Sequence, residues 1–395
     1  MVSSLFKKAL SLALLALIVL ILGGIGGVFF ERSLVPRLAA TDYFGQWDFF
    51  KKAAEHVTVI NKTEQVVVRE DDSVEKIVSQ PATAVVNIVA LPLSEKEVKG
   101  NLATLGAAAE EVVTTTGVLM TNDGLVVTYS ELPLDTVKTR YSILLYDGSI
   151  HEAAFVGRDS LTNLSFFRVN DASNTPAIAL ANSDDARVGK KLIAIGNTFA
   201  EYQNRLSVGI LGNINRIFNL SGKTVASSEK WEGVFETDLQ KPEVYVGGPV
   251  IGFNGEMVGI VGTLTINNTL QSFLIPSNVV RDSLNHVIAG TLDKRPTLGV
   301  YYLSITKALA LGRGLSRDRG ALIYSRSGST GLALIADSPA MKAGLQAGDI
   351  ITTVNGTEIN LDTPLSEALS RYNKGETIEL GILRNGEEKT VSVSL

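Results

Sequence analysis

Between residues 83 and 282 apolar residues recur in short runs separated by turn-forming residues, a pattern that predicts strands rather than helices. Successive candidates are Ala84–Ala90, Thr116–Met120, Leu125–Thr128, Tyr141–Leu145, Glu152–Gly157 and Leu164–Val169. A second set follows at Lys191–Ile195, Arg205–Ile210, Val234–Glu236, Pro249–Gly252, Met257–Leu264 and Ser272–Ile275. Asn122-Asp123-Gly124 and Asp147-Gly148 lie between candidates and suit hairpins that need positive φ. Ser277-Asn278 is expected to cap a closing helix that runs to about His286. A dozen short strands with few helices predict a pair of packed β-barrels.

The pattern changes at both ends. Residues 9–30 carry no charge and a single hydroxyl, Ser11, and are long enough to cross a bilayer as a helix. Lys7 and Lys8 precede the run, while Glu31, Arg32 and Arg37 follow it. The positive-inside rule then predicts a cytoplasmic N-terminus and an extracytoplasmic body at the cell membrane. A cleaved signal peptide is the alternative. The run is long for the apolar part of such a signal, and no small-x-small site follows directly, so an uncleaved anchor is expected. Gly23 and Gly27 form a G-x-x-x-G pair that either packs two such helices or is simply tolerated there. Tyr43, Phe44, Trp47, Phe49 and Phe50 then suit the membrane interface, a neighbouring subunit or the body of the chain equally. Residues 57–70 alternate as an exposed strand does, and Asp72 or Ser73 is expected to cap a short helix before Pro81.

Downstream, LGVYYLSI and RGALIYS read as strands. In SPAMKAGLQAGDIITTVNGTEI, Ser338-Pro339 starts a short helix, Asp349 precedes the strand Ile350–Val354, and Asn355-Gly356 makes a two-residue hairpin turn. Residues 363–372 form an amphipathic helix with Leu365, Ala368, Leu369 and Tyr372 on one face. Lys294-Arg295-Pro296 is a plausible linker before this unit.

Length and composition narrow the function classes. A chain of 395 residues suggests two or three domains, and 45% hydrophobic residues supply sizeable cores. A net charge of −5 leaves no basic footprint for nucleic acid. The absence of cysteine excludes disulfides, thiolate zinc sites and thiol catalysis. No phosphate-binding loop or dinucleotide fingerprint is present, so no cofactor is expected. Glu110-Glu111, Asp184-Asp185 and Asp71-Asp72 read as solvated loop charges rather than a metal site.

The run from Thr237 to Val250 is built like a site: Thr237-Asp238, then Val244-Tyr245-Val246-Gly247-Gly248-Pro249, then a strand and the Gly252-Phe253-Asn254-Gly255 turn. With TTGVLMTNDGLVVT, DGSIHEAAFVGRDSLTNLSFFRV, VGKKLIAIGNTF, NRLSVGIL, FETD and FLIPSN in order, it resembles trypsin-like proteases of the HtrA (Deg) family. The last unit resembles the permuted PDZ domain that follows such protease domains. The pattern and the resemblance together imply a mainly β chain: the apolar run makes residues 1–32 a tail and transmembrane helix with 33–75 juxtamembrane, and the resemblance makes 76–290 a trypsin-like double barrel and 297–395 an α+β PDZ domain.

Acyl transfer needs a nucleophile, a base within hydrogen-bond reach and backbone donors for the oxyanion, with a third residue to orient the base. Carried onto this chain, the family's histidine position is Glu131, its aspartate position is Asn163, and its serine position is Val246. The glycine that helps form the oxyanion hole is Val244. Valine has no nucleophilic atom, and asparagine cannot offset an imidazolium charge. Of the three histidines, His56, His151 and His286, none falls at a catalytic position. A Ser–Lys pair drawn from Ser130, Ser165 and Lys241 would need a geometry that the pattern does not supply.

What the resemblance leaves intact is a binding surface. In such PDZ domains a Leu/Ile-Gly-Ile/Val loop holds a peptide carboxylate, which here is Leu298-Gly299-Val300. Tyr301 and Tyr302 would offer a strand edge, and Leu365, Ala368 and Leu369 an apolar pocket. The expected protein is a membrane-anchored pseudoprotease that binds peptide C-termini or unfolded polypeptides as scaffold, holdase or regulator. It would act as a homotrimer or with active HtrA relatives. The alternative is an active endopeptidase that uses unorthodox residues.

Overall fold

The computed structural model describes residues 70–92, 112–129, 132–133, 138–172, 174–197, 204–325 and 332–395, together with Gly23 taken alone. Backbone contacts divide the chain into Met1–Val68 and Arg69–Leu395, and apart from Gly23 every element below belongs to the second unit. The expected membrane helix at 9–30, the aromatic segment at 41–57 and the exposed strand at 57–70 lie outside the described residues. Among the described residues no helix is long and apolar enough to cross a membrane.

Helix α1 (Glu70–Ser79) starts earlier than its predicted cap, so Asp72 and Ser73 sit within it. Six strands then close into a barrel: β1 (Val85–Pro92), β2 (Val113–Leu119), β3 (Leu125–Tyr129), β4 (Thr139–Leu144), β5 (Ile150–Arg158) and β6 (Leu164–Val169). Their order around the barrel is β1-β2-β3-β6-β5-β4. Strand β4 shows how the pattern selects the face. Thr139, Tyr141 and Ile143 point inward and are buried, and the residues between them are exposed or half-buried.

The second barrel holds β7 (Lys191–Gly196), β8 (Arg205–Asn219), β10 (Glu232–Thr237), β11 (Pro249–Gly252), β12 (Met257–Ile266) and β13 (Thr269–Pro276), ordered β10-β13-β12-β11-β7-β8. Strand β8 continues well past its predicted end at Ile210. Strand β7 is buried on both faces. Ile193 and Ile195 join the cluster shared with the first barrel, and Leu192 and Ala194 join a second cluster with Val244, Tyr245 and Val250. The barrels meet where Tyr129 of β3 packs edge-on against Phe273 of β13, with ring centroids 5.5 Å apart. Phe166 and Phe167 are fully buried, and each such side chain contributes about 1.5–3 kcal/mol through removal from water.

Helix α2 (Ser277–Ile288) closes the second barrel, but the predicted Ser277-Asn278 cap is not made. Pro276 is the cap residue, and the Ser277 hydroxyl instead donates to the Ala181 carbonyl at 2.9 Å. The expected linker is also a joint of another kind. Arg295 is buried, with Nε 3.1 Å and Nη2 2.5 Å from the Asp159 carboxylate and Nη1 2.8 Å from Asp282. A buried carboxylate needs such a partner, so the segment is pinned to the first barrel.

The C-terminal unit is a sheet of β14 (Tyr301–Ser304), β15 (Ala321–Ile323), β16 (Ile350–Val354), β17 (Thr357–Glu358), β18 (Thr377–Arg384) and β19 (Glu387–Ser394). It carries α3 (Lys307–Arg313), which the pattern did not announce, α4 (Pro339–Lys342) and α5 (Leu365–Ser370). Both central residues of the predicted Asn355-Gly356 turn have positive φ, 45° and 79°. One further strand, β9 (Ala226–Ser227), comes from the connection between β8 and β10, yet it pairs with β14 rather than with either barrel.

Candidate functional site

The loop before β11 is a tight device. Lys241 takes a left-handed conformation (φ 49°), and Pro242–Tyr245 form one 3₁₀ turn. That turn uses the Val244 N–H, which donates to the Lys241 carbonyl at 3.1 Å. The donor expected to face an oxyanion is therefore engaged inside the loop. Val246 is half-buried and packs against both barrel clusters, so its side chain acts as a wedge between them. Its carbonyl accepts from the Thr115 hydroxyl at 3.4 Å.

Gly247 follows with φ 80°, and a Cβ there would lie 2.2 Å from the Thr116 carbonyl and 2.3 Å from the Thr128 hydroxyl. Only glycine fits this close approach. Gly247 N–H donates to Val261 and Gly248 N–H to Tyr245, at 2.9 and 2.8 Å. Asp238, upstream, accepts from the Ile210 N–H at 2.6 Å and ties the loop's entry to β8. The surviving Thr-Asp and Gly-Gly-Pro frame thus holds the backbone in place.

Of the residues that the resemblance sets at catalytic positions, Glu131 lies outside the described residues, and so does Ser130 of the Ser–Lys alternative. Asn163 has φ 62°, and its Oδ1 accepts from Lys230 Nζ at 2.6 Å. Lys230 also donates to the Ser160 carbonyl at 2.7 Å. Burial, and next the Arg158 guanidinium, pull the Lys230 ammonium below its usual pKa, while Asp159 and Glu229 push it back up. Asn163 therefore serves as a tether for the segment that contains Lys230. Nearby, burial raises the Asp159 carboxyl, but Arg295, Ser283 and the Leu161 N–H outweigh it and hold the pKa below the ordinary value.

Among the described residues the alternative serine chemistry finds no assembled site. Ser165 is fully buried, and its Oγ has no hydrogen-bond partner among the described residues. Lys241 is exposed at the start of the loop. His151 Nε2 contacts the Ser149 hydroxyl at 3.0 Å, and His286 Nδ1 contacts the Thr291 hydroxyl at 2.9 Å, each within its own local turn. His56 lies outside the described residues. Among the described residues no group of three or more His, Asp or Glu could hold a metal.

The predicted PDZ residues do come together. Leu298, Val300, Tyr302, Leu365, Ala368 and Leu369 share one buried cluster, and Tyr301 is half-buried beside it. Gly299 has φ 81°, and a Cβ there would meet the Ser338 side chain at 2.2 Å. One expectation is overturned. The Tyr301–Tyr302 edge is not open, because Tyr301 pairs with Ser227 and Tyr302 with Ala226, in antiparallel register. The edge groups of β14 that an incoming strand would use are taken by the chain itself. Nothing in the polar run from Ser221 to Glu229 marks it in the sequence as a strand.

Comparison with known proteins agrees with this architecture. A profile described as a trypsin-like peptidase domain matches residues 112–260, and one described as a PDZ domain matches residues 311–395. The chain is 31% identical over 256 residues to the periplasmic serine endoprotease DegP of Salmonella typhimurium, across 64% of this chain and 50% of that protein. It is 30% identical over 259 residues to the periplasmic pH-dependent serine endoprotease DegQ of Escherichia coli, across 65% and 53%. The chain thus spans about half the length of the curated relatives it matches. Among solved structures it shares its fold with the HtrA-type protease AlgW bound to a tripeptide (TM-score 0.61, 24% identity, 80% of this chain and 95% of that one). AlgW with a decapeptide is alike, with a TM-score of 0.59 and 23% identity over 80% of this chain and 96% of that one. The chain thus carries a trypsin-like peptidase domain followed by a PDZ domain, and in sequence and fold it is similar to DegP-type and HtrA-type serine endoproteases.

Proposed function

We propose that this protein is a non-cleaving member of the HtrA type, anchored in the cell membrane by residues 9–30, that captures peptide C-termini or unfolded polypeptides outside the cytoplasm. The observation that carries the proposal is Val246, a side chain without a nucleophilic atom, wedged between the two barrel clusters at the serine position. The engaged Val244 N–H and the tethered Asn163 support it, since the donor and the orienting residue are committed elsewhere. Loss of nucleophile, base, orienter and hole together leaves less than the ~10³–10⁴-fold residual rate known when one triad member is removed.

Peptide capture is supported by the PDZ domain, in which Leu298 and Val300, flanking Gly299, share one buried cluster with Leu365, Ala368 and Leu369. The uncharged 9–30 run and the flanking Lys7 and Lys8 support the anchor and its orientation. A trimer, or assembly with active relatives, follows from the family resemblance. The test is incubation of the purified full chain with unfolded casein and a fluorophosphonate probe. Neither cleavage nor labelling is expected. Activity that disappears on mutating one serine would establish the endopeptidase reading instead.

A further inference from the structure

The connection between β8 and β10 could return directly to the second barrel, but instead it crosses to the PDZ domain and back. Residues 225–232 form a strap held from both sides. On the PDZ side, β9 adds an edge strand to β14, and Ala226 packs in the cluster with Leu365, Ala368 and Leu369. Ser228 N–H donates to the Val300 carbonyl, and Val300 N–H donates to the Ser228 hydroxyl, both at 3.0 Å. The next residue completes the likeness to a bound peptide. Glu229 Oε1 accepts from the Gly299 N–H at 2.7 Å and from the Ser228 hydroxyl at 2.8 Å, and Oε2 accepts from the Ser227 hydroxyl at 2.8 Å.

A PDZ-type groove recognises a strand by edge pairing and a terminal carboxylate by loop N–H groups. Here one segment of the same chain supplies both, with a side-chain carboxylate in place of a terminal one. On the barrel side, Lys230 Nζ reaches Asn163 and Ser160, and Trp231 N–H donates to the Leu161 carbonyl at 2.9 Å. Glu232 N–H then returns to the PDZ domain, 3.0 Å from the Ser366 hydroxyl of α5.

We infer that residues 225–229 are a built-in ligand that keeps the PDZ groove closed, so that a polypeptide with a free C-terminal carboxylate binds only by displacing this strap. The inference rests on the peptide-capture reading above. A groove available only part of the time has its apparent affinity reduced by that fraction, so weakening the strap must tighten peptide binding. Asn163, at the position where the resemblance expects the catalytic aspartate, has a use in this arrangement: it helps to hold the strap down.

The test uses the full chain and a fluorescent KTVASS peptide, the sequence of residues 223–228 with a free C-terminal carboxylate. The same peptide ending in an amide is the control. Two variants loosen the strap without touching the groove: Glu229→Ala removes the carboxylate mimic, and Lys230→Met removes the tether to Asn163. Both should bind the acid peptide about tenfold or more tightly than the wild type, and the amide should not compete. In the wild type, saturating peptide should release the Ser228 amide to hydrogen exchange.

Equal affinity for the wild type and both variants overturns the inference while leaving peptide capture intact. So does peptide binding that leaves the Ser228 amide protected. Failure of every form to bind the acid peptide removes the capture reading itself, and the inference falls with it.

Discussion

Replacing Glu232 by glutamine should stabilise the chain by about 2 kcal/mol near pH 7 and by less than about 0.2 kcal/mol near pH 4. Glu232 is the first residue of β10 and is 2% exposed. Its carboxylate accepts from the Tyr302 hydroxyl at 2.7 Å and the Ser304 hydroxyl at 2.6 Å. Burial, only partly offset by those hydrogen bonds, raises its pKa from 4.5 to about 6. A raised carboxyl pKa means the folded chain holds the proton where the unfolded chain has released it. Stability from this group is therefore lost as pH rises through the window from 4.5 to about 6. The difference of about 1.5 pH units, at about 1.36 kcal/mol per unit, gives the quoted 2 kcal/mol. Glutamine keeps an acceptor for Tyr302 and can donate to Ser304, but carries no charge to desolvate. The assay is urea unfolding of the full chain and the variant between about pH 4 and 7.5, with the difference in free energy taken at each pH. A flat difference, or one that favours the wild type at pH 7, would refute the reasoning.

Other perturbations have equally direct readouts. Arg295→Ala leaves the Asp159 carboxylate buried without its main partner and should cost about 3–5 kcal/mol in urea unfolding. A loss below about 1 kcal/mol would mean that water reaches Asp159. Gly247→Ala forces a Cβ against the Thr116 carbonyl in a left-handed backbone and should lower stability by more than about 2 kcal/mol; unchanged thermal unfolding would contradict the loop geometry. Val246→Ser alone should give no fluorophosphonate labelling, because the Val244 N–H stays within its turn. Stoichiometric labelling would show that the oxyanion hole is intact.

Strand after strand was legible in the sequence because alternation is a local property. Tyr141 and Ile143 face inward wherever β4 is placed, and the Asn355-Gly356 turn needs only its own two residues. Strand β8 was cut short because its exposed continuation lacks a strong apolar period, and α3 was missed between two strand signals. The Ser277 cap failed because a tertiary acceptor, the Ala181 carbonyl, captured the hydroxyl that a local cap would have used.

The sequence by itself determined most of the strand pattern, and that Val246, at the position where the resemblance expects a serine, carries no nucleophilic atom in any conformation. What Asn163 and Glu229 touch was decided only by the tertiary structure. Asn163 meets Lys230, 67 residues away along the chain, and Glu229 meets Gly299 across 70 residues. The Ala-Ser-Ser-Glu run from Ala226 has no periodicity of its own, and the pairing of Ala226 and Ser227 exists only because the β14 edge lies against them. Contacts of that range depend on where two barrels and a third sheet come to rest, and no local pattern encodes them. The folded chain therefore shows what the pattern does not: Ala226 and Ser227 of the same chain pair along the β14 edge.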